Sequence, residues 1–256
     1  HGCSTNTYEP HLGKLAVAIL EHIGLHVEVP PQTCCGLPAQ SNGDFPGARR
    51  YAHKNIESLV SYARRGIPIV GTSSSCITAL KGDYQHVLGL HDPDTVLVAE
   101  NTYDFMEFLL KLYHEGRLPT DFRPIEREIP YHAPCQLKAH GMGRPALDVL
   151  DLIPGLHAWE IDAACCGIAG TYGYKAEKRE ISEAVGYDLA QEVYRSGSDV
   201  VVCDTETCRW QITALTGAKA IHPIQLIAEA YGLSVDHYQP PVTAGQRIHT
   251  PVQGGW

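Results

Sequence analysis

The chain has 256 residues, of which 44% are hydrophobic and 19% are charged, and its formal net charge is −9. Such a chain is long enough for one large or two small globular domains, and its negative charge, with no basic stretch, argues against nucleic-acid binding. No apolar run approaches the roughly 20 residues of a transmembrane helix, and no segment resembles a signal peptide. The sequence begins with His1 rather than Met, so we expect it to be part of a longer protein.

The first half is predicted to alternate helices with short strands. Apolar residues at helical spacing that end at a glycine mark the helices, and short apolar or alternating runs mark the strands. The predicted elements are a helix over 10–23, a strand over 25–29, a helix over 44–66, a strand over 67–70 and a helix that opens near Cys76. We therefore expect Cys34 and Cys35 at the carboxyl end of one strand and Cys76 after the next.

A joining segment over 81–130 leads to a second half with the same alternation. The joining segment contains a helix around 105–112 and a proline-bearing linker over 119–130. In the second half the predicted elements are strands over 129–132, 156–161, 199–202 and 218–221, and helices over 147–152, 177–195, from Cys208 onward and over 223–231.

The alternation predicts an α/β fold of two duplicated domains with mainly parallel sheets. We place the first domain at 1–118, the second at 127–233 and an irregular C-terminal tail, rich in Pro, Gly and Gln, at 234–256. Ligands of parallel sheets collect outside the carboxyl ends of the strands. The predicted strands put the cysteines at those ends.

Eight of the nine cysteines follow one internal duplication. The positions related by 131 or 132 residues are Cys3 and Cys135, Cys34 and Cys165, Cys35 and Cys166, and Cys76 and Cys208. Self-similarity at a fixed offset indicates two copies of one structural unit. Because there is no secretory signal, the cysteines indicate a reducing compartment, in which thiols bind metals or carry electrons instead of forming structural disulfides.

Each half supplies four thiols, which is the number that saturates a tetrahedral zinc ion or the four irons of a cubane cluster. The predicted metal ligands are Cys3, Cys34, Cys35 and Cys76 in the first half, and Cys135, Cys165, Cys166 and Cys208 in the second. Glycines after each cysteine pair would let backbone N–H groups approach inorganic sulfide; these are Gly36, Gly167, Gly170 and Gly173. Burial in an apolar core, the alternative, suits single cysteines better than two matched quartets.

Other residues near the second quartet admit two interpretations each. Cys203 could be a fifth thiolate ligand or a core residue at the end of a strand. His132 could bind or hydrogen-bond a cluster, although a loop or capping role is favoured. Lys175 and Arg209 could offset the charge of a cluster, although a solvated position is slightly favoured. Trp210 could relay electrons, although packing in the core is favoured.

Motifs spread over the chain as far as Tyr231 carry a family resemblance. They are His1-Gly-Cys3, Thr72-Ser-Ser-Ser-Cys76, Tyr131-His-x-Pro-Cys135, Cys165-Cys-Gly-Ile-Ala-Gly-Thr-Tyr-Gly173, Glu206-Thr-Cys208-x-Trp-Gln-Ile212 and His222-Pro223. Together they resemble the duplicated cysteine-rich CCG-domain family, which includes heterodisulfide reductase B subunits and the iron–sulfur subunits of glycolate and lactate oxidation systems. Within that family the chain looks most like the C subunits of anaerobic glycerol-3-phosphate dehydrogenases.

The resemblance implies an iron–sulfur electron-transfer subunit, without substrate chemistry of its own, in a multi-subunit anaerobic glycerol-3-phosphate dehydrogenase. It implies that a flavin-containing dehydrogenase subunit supplies the electrons and that membrane quinone receives them, directly or through a partner. It further implies a cytoplasmic protein, held peripherally at the inner face of the cytoplasmic membrane. In the family a ferredoxin-like segment precedes the two CCG domains.

Two positions depart from the family pattern. Ser73 and Thr205 stand where the first cysteine of a Cys-x-x-Cys motif would be, so each half lacks the fifth thiolate associated with the family's noncubane clusters unless Cys203 supplies one. An iron–sulfur cluster of [4Fe-4S] type is therefore expected, with a noncubane cluster as an alternative and zinc as an alternative in the first half. Three other functions stay open, namely a heterodisulfide-reductase-like subunit, an iron–sulfur subunit of lactate or glycolate oxidation, and a structural zinc module that docks partners.

Overall fold

The computed structural model describes residues 1–234, which form helices around parallel strands. The helices are α1 Cys3–Thr7, α2 Pro10–His22, α3 Leu37–Ser41, α4 Phe45–Ala63, α5 Ser74–Thr78, α6 Tyr84–His86, α7 Pro93–Glu100, α8 Phe105–His114, α9 Cys135–Ala139, α10 Pro145–Leu150, α11 Arg179–Ser196, α12 Glu206–Thr216 and α13 Pro223–Tyr231. The strands are β1 Ile69–Gly71, β2 Thr102–Asp104, β3 Arg127–Tyr131, β4 Leu156–Glu160, β5 Val200–Val202 and β6 Lys219–Ile221. No helix in this part of the chain combines the length and apolar character needed to cross a membrane. The tail predicted for 234–256 lies, from residue 235 onward, outside the described residues.

The strands form two parallel sheets, one in each half. In the first sheet β1 pairs with β2, so that Ile69 lies opposite Thr102. The second sheet has the order β4-β3-β5-β6, with β3 and β4 in register along their whole length and β5 opposite β3 at Tyr131 and Val202. Every pair is parallel, which confirms the predicted α/β fold class with its duplicated halves.

The strand predicted over 25–29 is wrong, because these residues form no regular secondary structure. At an offset of 131 residues the segment corresponds to β4, whose ladder partner is β3. Alternating apolar residues favour an extended backbone, but a strand also needs a neighbouring strand with which to exchange hydrogen bonds. Cys34 and Cys35 therefore follow an irregular segment, whereas Cys165 and Cys166 follow β4.

The longer helices agree with the sequence predictions to within two or three residues. They are α2, α4, α8, α11 and α13. Predicted end signals are present as well, for example Gly197 in the left-handed conformation after α11. The sequence missed α7 and β2, which lie within the joining segment. The β2 strand is only three residues long, so it is too short to show a period of two.

The largest hydrophobic core is shared between the two halves. It joins Ile19 of α2 and Leu109 of α8 to Ile129 of β3, Val149 of α10 and Ile227 of α13, and each of these residues is fully buried. A second core lies under α4, and a third under α11 and α12. Since residues of both halves pack in one core, the boundaries placed at 118 and 127 stay a prediction. The shared core fixes the two cysteine-bearing regions relative to each other.

Candidate metal centres

In the first half, four thiols from three separate segments meet in one group. Cys3 is the first residue of α1, Cys34 and Cys35 lie in the loop before α3, and Cys76 lies in α5. The Cys34 thiol hydrogen-bonds with the thiols of Cys3 and Cys35, and the Cys35 thiol in turn interacts with that of Cys76. We call these four residues the first thiol group.

The second half repeats this arrangement and extends it by one thiol. Cys135 is the first residue of α9, Cys165 and Cys166 lie in the loop after β4, and Cys208 lies in α12. Contacts run from Cys135 to Cys165, from Cys165 to Cys166 and from Cys166 to Cys208. The Cys208 thiol also interacts with the fully buried thiol of Cys203, which follows β5. These five residues are the second thiol group.

The first cysteine of each pair has a lowered pKa. A hydrogen bond from Cys3, then one from Cys35, lowers the pKa of Cys34 to about 3. Hydrogen bonds from Cys135 and Cys166 lower the pKa of Cys165 to about 2. The same contacts raise the pKa of Cys3 and of Cys135. The contacts therefore stabilise the thiolate form of Cys34 and of Cys165, and the thiolate is the form that binds metals.

Backbone N–H groups support both thiolates. The Gly167 N–H donates to Cys165 Sγ at 3.4 Å, and the Gly36 N–H makes the corresponding hydrogen bond to Cys34. Both glycines have φ near +90°, where a side chain is strained. A Cβ on Gly167 would lie 2.0 Å from the Ser182 carbonyl oxygen of α11, so the loop is pressed against that helix.

The other two glycines of the loop serve close packing. A Cβ on Gly173 would lie 3.0 Å from Cα of Ile168, and one on Gly170, whose φ is +72°, would meet the Ser41 side chain of the first half at 2.9 Å. These contacts account for small residues at both positions. A role of the four glycines in binding a cofactor stays a prediction.

A cavity of about 370 Å³ lies between the two halves, against the second thiol group. Its walls combine residues of the first half with the loop and helix ends of the second. Leu37, Gln40, Ser41, Phe45, Ser75 and Val87 come from the first half, and Cys135, Cys165, Cys166, Ala169, Gly170, Thr205, Thr207 and Cys208 are among those from the second. The cavity therefore gives direct access to four of the five thiols of the second group.

Two residues judged from sequence occupy a different environment in the structure. Arg209 is only 3% exposed, so the solvated position was wrong; it forms an ion pair with Glu9 and donates to the carbonyl oxygens of Cys203 and Asp204. His132 is fully buried, and neither ring nitrogen has a hydrogen-bond partner among the described residues, so it is not a capping residue. Burial, then the charge of Lys138, lowers the pKa of His132 to about 4.

The exposure of Lys175 agrees with the sequence prediction, whereas the position of Trp210 does not. Lys175 is exposed, as favoured from sequence. Trp210 is only partly buried and packs edge-on against Tyr8 of the first half at 5.5 Å between ring centroids, with Tyr174 on its other side at 6.4 Å. It therefore joins the two halves instead of filling a core.

Sequence reasoning missed three buried polar residues, Asp104, Asp204 and His222, and their hydrogen bonds. The Asp104 side chain accepts hydrogen bonds from Ser74 Oγ and the Met106 N–H, and the Tyr131 hydroxyl donates to Asp204 at 2.5 Å. His222 caps α13 by accepting from the Ile224 N–H. Burial, then the charge of Asp204, raises the pKa of Asp104 to about 8. The spacing of Asp104 and Glu107 is that of a capping box, which is the signal that could have revealed this cap.

The chemistry of the cysteine thiols in each group fits a metal centre bound by thiolates. Each group offers at least four thiols with one thiolate already stabilised, and orphaned polar atoms of His132 and Thr205 lie in the same region of the second half. Within residues 1–234, however, no three His, Cys, Asp or Glu side chains are arranged as a site for a single metal ion. Zinc and an iron–sulfur cluster therefore both stay predictions. In an iron–sulfur cluster, different thiolates of one thiol group would bind different iron atoms.

Comparisons with known proteins agree with this chemistry. A family model described as a cysteine-rich domain, CCG, matches residues 1–81 and again residues 129–213. The chain is 38% identical to the C subunit of the anaerobic glycerol-3-phosphate dehydrogenase of Escherichia coli (strain K12), over 90% of this chain and 58% of that protein. The chain thus spans little more than half the length of that relative.

Two further relatives are more distant. The chain is 27% identical to the B subunit of the fumarate reductase (CoM/CoB) of Methanothermobacter marburgensis, over 90% of this chain and 45% of that protein. It is also 27% identical to the lactate utilization protein A of Halalkalibacterium halodurans, over 78% of this chain and 81% of that protein. Both matches cover most of the described residues.

Proposed function

Because the chain belongs to the cysteine-rich CCG-domain family, whose domain it contains twice, we propose that it is an iron–sulfur electron-transfer subunit. The proposal depends on the two thiol groups. Within each group the thiols interact with one another, and a glycine N–H supports one stabilised thiolate. A structural core would not require cysteines from three separate segments to meet in the same way in both halves. Iron and sulfide bound there would supply one-electron transfer at a tuned potential.

The proposed ligands are the eight duplicated cysteines and Cys203. The two thiolates, Cys34 and Cys165, would bind iron first, because the other thiols must each lose a proton to do so. The N–H groups of Gly36 and Gly167 hold negative charge at these sulfur atoms, and the packing of Gly167 on α11 keeps its N–H in place. For the second group we propose a [4Fe-4S] or noncubane cluster, the latter if Cys203 takes part.

The likeness to the C subunit of an anaerobic glycerol-3-phosphate dehydrogenase supports a place in such a complex. The proposed electron donor is a flavin-containing subunit that oxidises glycerol 3-phosphate, and the proposed acceptor is membrane quinone, reached directly or through a partner. We propose a cytoplasmic location at the inner face of the membrane. In this arrangement the chain carries electrons and has no substrate reaction of its own.

A second candidate is a heterodisulfide-reductase-like subunit, in which a small disulfide would be reduced at the second thiol group. The cavity of about 370 Å³ against that group favours it, because a small molecule could reach the sulfur atoms. The relative named as a CoM/CoB fumarate reductase subunit points the same way. Reduction of a disulfide by the isolated protein with an artificial electron donor would establish this candidate over the first.

The test of the proposal is the composition of protein prepared without oxygen. Iron, acid-labile sulfide and zinc are quantified on the same sample, and a redox titration is followed by electron paramagnetic resonance. We expect iron and sulfide in near-equal amounts and a signal that appears or disappears on reduction. Stoichiometric zinc without sulfide would instead identify a structural zinc module, and a protein with neither metal would end the proposal.

A further inference from the structure

Two hydroxyl residues at equivalent positions of the halves share an uncommon state. Thr205 is the N-cap residue of α12 and Ser73 that of α5, each three residues ahead of the last cysteine of its thiol group. Both have the extended backbone of an N-cap, with φ and ψ of −98° and 126° for Thr205 and of −127° and 112° for Ser73. In this position a Ser or Thr oxygen normally accepts a hydrogen bond from the first turn of the helix. Neither side chain does so.

Both hydroxyls are buried and have no partner among the described residues. Thr205 and Ser73 are each 2% exposed, and Thr205 Oγ1 and Ser73 Oγ each lack a hydrogen bond within residues 1–234. A buried hydroxyl without a partner destabilises the folded protein, and such groups are few in native structures. The same unfavourable state at two positions related by the duplication indicates that each hydroxyl has a partner in the working protein.

The surroundings of Thr205 indicate what that partner is. Thr205 lines the cavity together with Cys165, Cys166 and Cys208, and its carbonyl oxygen lies 3.8 Å from Cys203 Sγ. One sulfur atom therefore lies near the Thr205 backbone, and three further cysteines share the cavity wall with this residue. Sulfur that carries negative charge accepts hydrogen bonds, and a group bound by these thiols would bring such sulfur to the hydroxyl.

We propose that the Thr205 hydroxyl donates a hydrogen bond to sulfur of the group bound by the second thiol group, and that Ser73 does the same for the first. The inference rests on the proposed function. A donor at the sulfur stabilises the more negative, reduced state and so raises the reduction potential. Thr205 and Ser73 are in this sense positioning residues that set a potential, and the family's fifth thiolate is replaced by a hydroxyl donor.

The test compares Thr205→Val, which keeps the shape and removes the hydroxyl, with Thr205→Ser, which keeps the hydroxyl. In a redox titration of the iron-loaded protein we expect Thr205→Val to lower the potential of one centre. The expected change is about tenfold in the equilibrium constant for reduction, or about 59 mV for one electron. Thr205→Ser should stay close to the original potential, and Ser73→Ala should lower the potential of the other centre.

A second readout excludes a merely structural role. In the metal-free protein, Thr205→Val removes an orphaned hydroxyl, so its urea midpoint should equal or exceed that of the unmutated chain. A lower midpoint for Thr205→Val with an unchanged potential would overturn the inference and make the hydroxyl structural. An iron-loaded Thr205→Val protein with unchanged potential and unchanged midpoint would also overturn it. Absence of iron from the unmutated protein would instead end the proposed function, so the two failures are distinguishable.

Discussion

The two halves of this chain build the same thiol arrangement on unequal supports. The first half brings four thiols together beside a two-stranded sheet, and the second brings five together beside a four-stranded sheet. In both, the thiolate is the first cysteine of the pair, and the glycine after the pair faces a carbonyl of the following long helix. The difference shows that the thiol arrangement depends on loops and helix ends more than on the number of strands behind them.

The halves also differ in how they are joined. At an offset of 132 residues Arg209 corresponds to Ile77, so a buried charge in the second half replaces a buried apolar residue in the first. Arg209 pairs with Glu9 of the first half, and Trp210 packs against Tyr8. The thiol positions are therefore the same in the two halves, whereas the residues that form the contacts between the halves differ from their equivalents in the other half.

The largest effect is expected from removing one thiol in each half. Cys166→Ser and Cys35→Ser are matched variants, because the two positions are equivalent and both thiols are buried. Serine cannot replace a thiolate that binds iron, so each variant should lose about half of the iron and sulfide if both halves hold a cluster. Metal and sulfide analysis of protein prepared without oxygen gives the result.

Unequal losses would sharpen the comparison. If Cys166→Ser removes all of the iron and Cys35→Ser removes none, only the second half holds a cluster. If both variants keep their full iron content, neither buried thiol is a ligand, and the equivalence of the two sites is lost.

Replacing the glycine after each cysteine pair with alanine should destabilise the protein more in the second half than in the first, because the second loop is packed more closely. A Cβ at Gly36 would approach the Ala48 carbonyl oxygen to 3.1 Å, whereas a Cβ at Gly167 would lie 2.0 Å from that of Ser182. Left-handed backbone alone costs a non-glycine residue about 1–2 kcal/mol, which is the loss expected for Gly36→Ala. Gly167→Ala adds overpacking and should lose about 3 kcal/mol or more of the free energy of unfolding.

Urea unfolding of the two variants, each against the unmutated chain, measures this difference. Equal losses at the two positions would contradict the closer packing of the second loop. The comparison does not depend on iron, because it can be made on metal-free protein.

Breaking the ion pair between the halves should cost nearly as much. Glu9→Gln leaves the guanidinium of Arg209 buried without its carboxylate, for which we expect a loss of about 3–5 kcal/mol in the free energy of unfolding. Adding Arg209→Met should restore part of that loss, since an apolar side chain suits a buried site. Ile77→Met is the matched control in the first half and should cost less than about 1.5 kcal/mol.

Thermal or urea unfolding at low and high salt provides the measurement. A surface ion pair would be weakened by salt, whereas this buried pair should be nearly insensitive to it. A loss below about 1 kcal/mol for Glu9→Gln would place the pair among ordinary surface contacts.

Two helix caps have charges that respond oppositely to pH. Asp104 caps α8, and His222 caps α13, each as part of a capping box. Burial, then Asp204, raises the pKa of Asp104 from 3.8 to about 8, so the folded state binds its proton more tightly than the unfolded state. Stability should therefore fall as pH rises from about 4 to 8 on account of this group.

His222 should act in the other direction. Burial, then the charge of Arg209, lowers its pKa well below 6.5, and its Nδ1 accepts a hydrogen bond that protonation would remove. Stability should fall as pH drops below about 6.5, by at most about 1.4 kcal/mol per pH unit. In unfolding curves measured from pH 4 to 8, Asp104→Asn should reduce the loss of stability that occurs as pH rises. His222→Asn should reduce the loss of stability that occurs as pH falls. Profiles that keep both slopes in the variants would contradict these assignments.

Much of the fold could be predicted from the sequence, because the longer helices have apolar residues at helical spacing and glycine or proline residues at their ends. The α4 and α11 helices show the apolar period and the glycine or proline signals at their ends. The strand over 25–29 failed because a strand depends on a partner elsewhere in the chain. The short α7–β2 segment escaped because three residues of strand carry no visible period.

The sequence by itself determined the duplication, the fold class and the eight matched cysteines, because these follow from spacing and residue type along the chain. Only the tertiary structure decided which thiol is the thiolate, that Arg209 is buried against Glu9, and that the Thr205 and Ser73 hydroxyls are orphaned. The physical reason is that charge state and hydrogen bonding depend on neighbours that packing brings together from distant segments. Spacing along the chain carries no record of those neighbours.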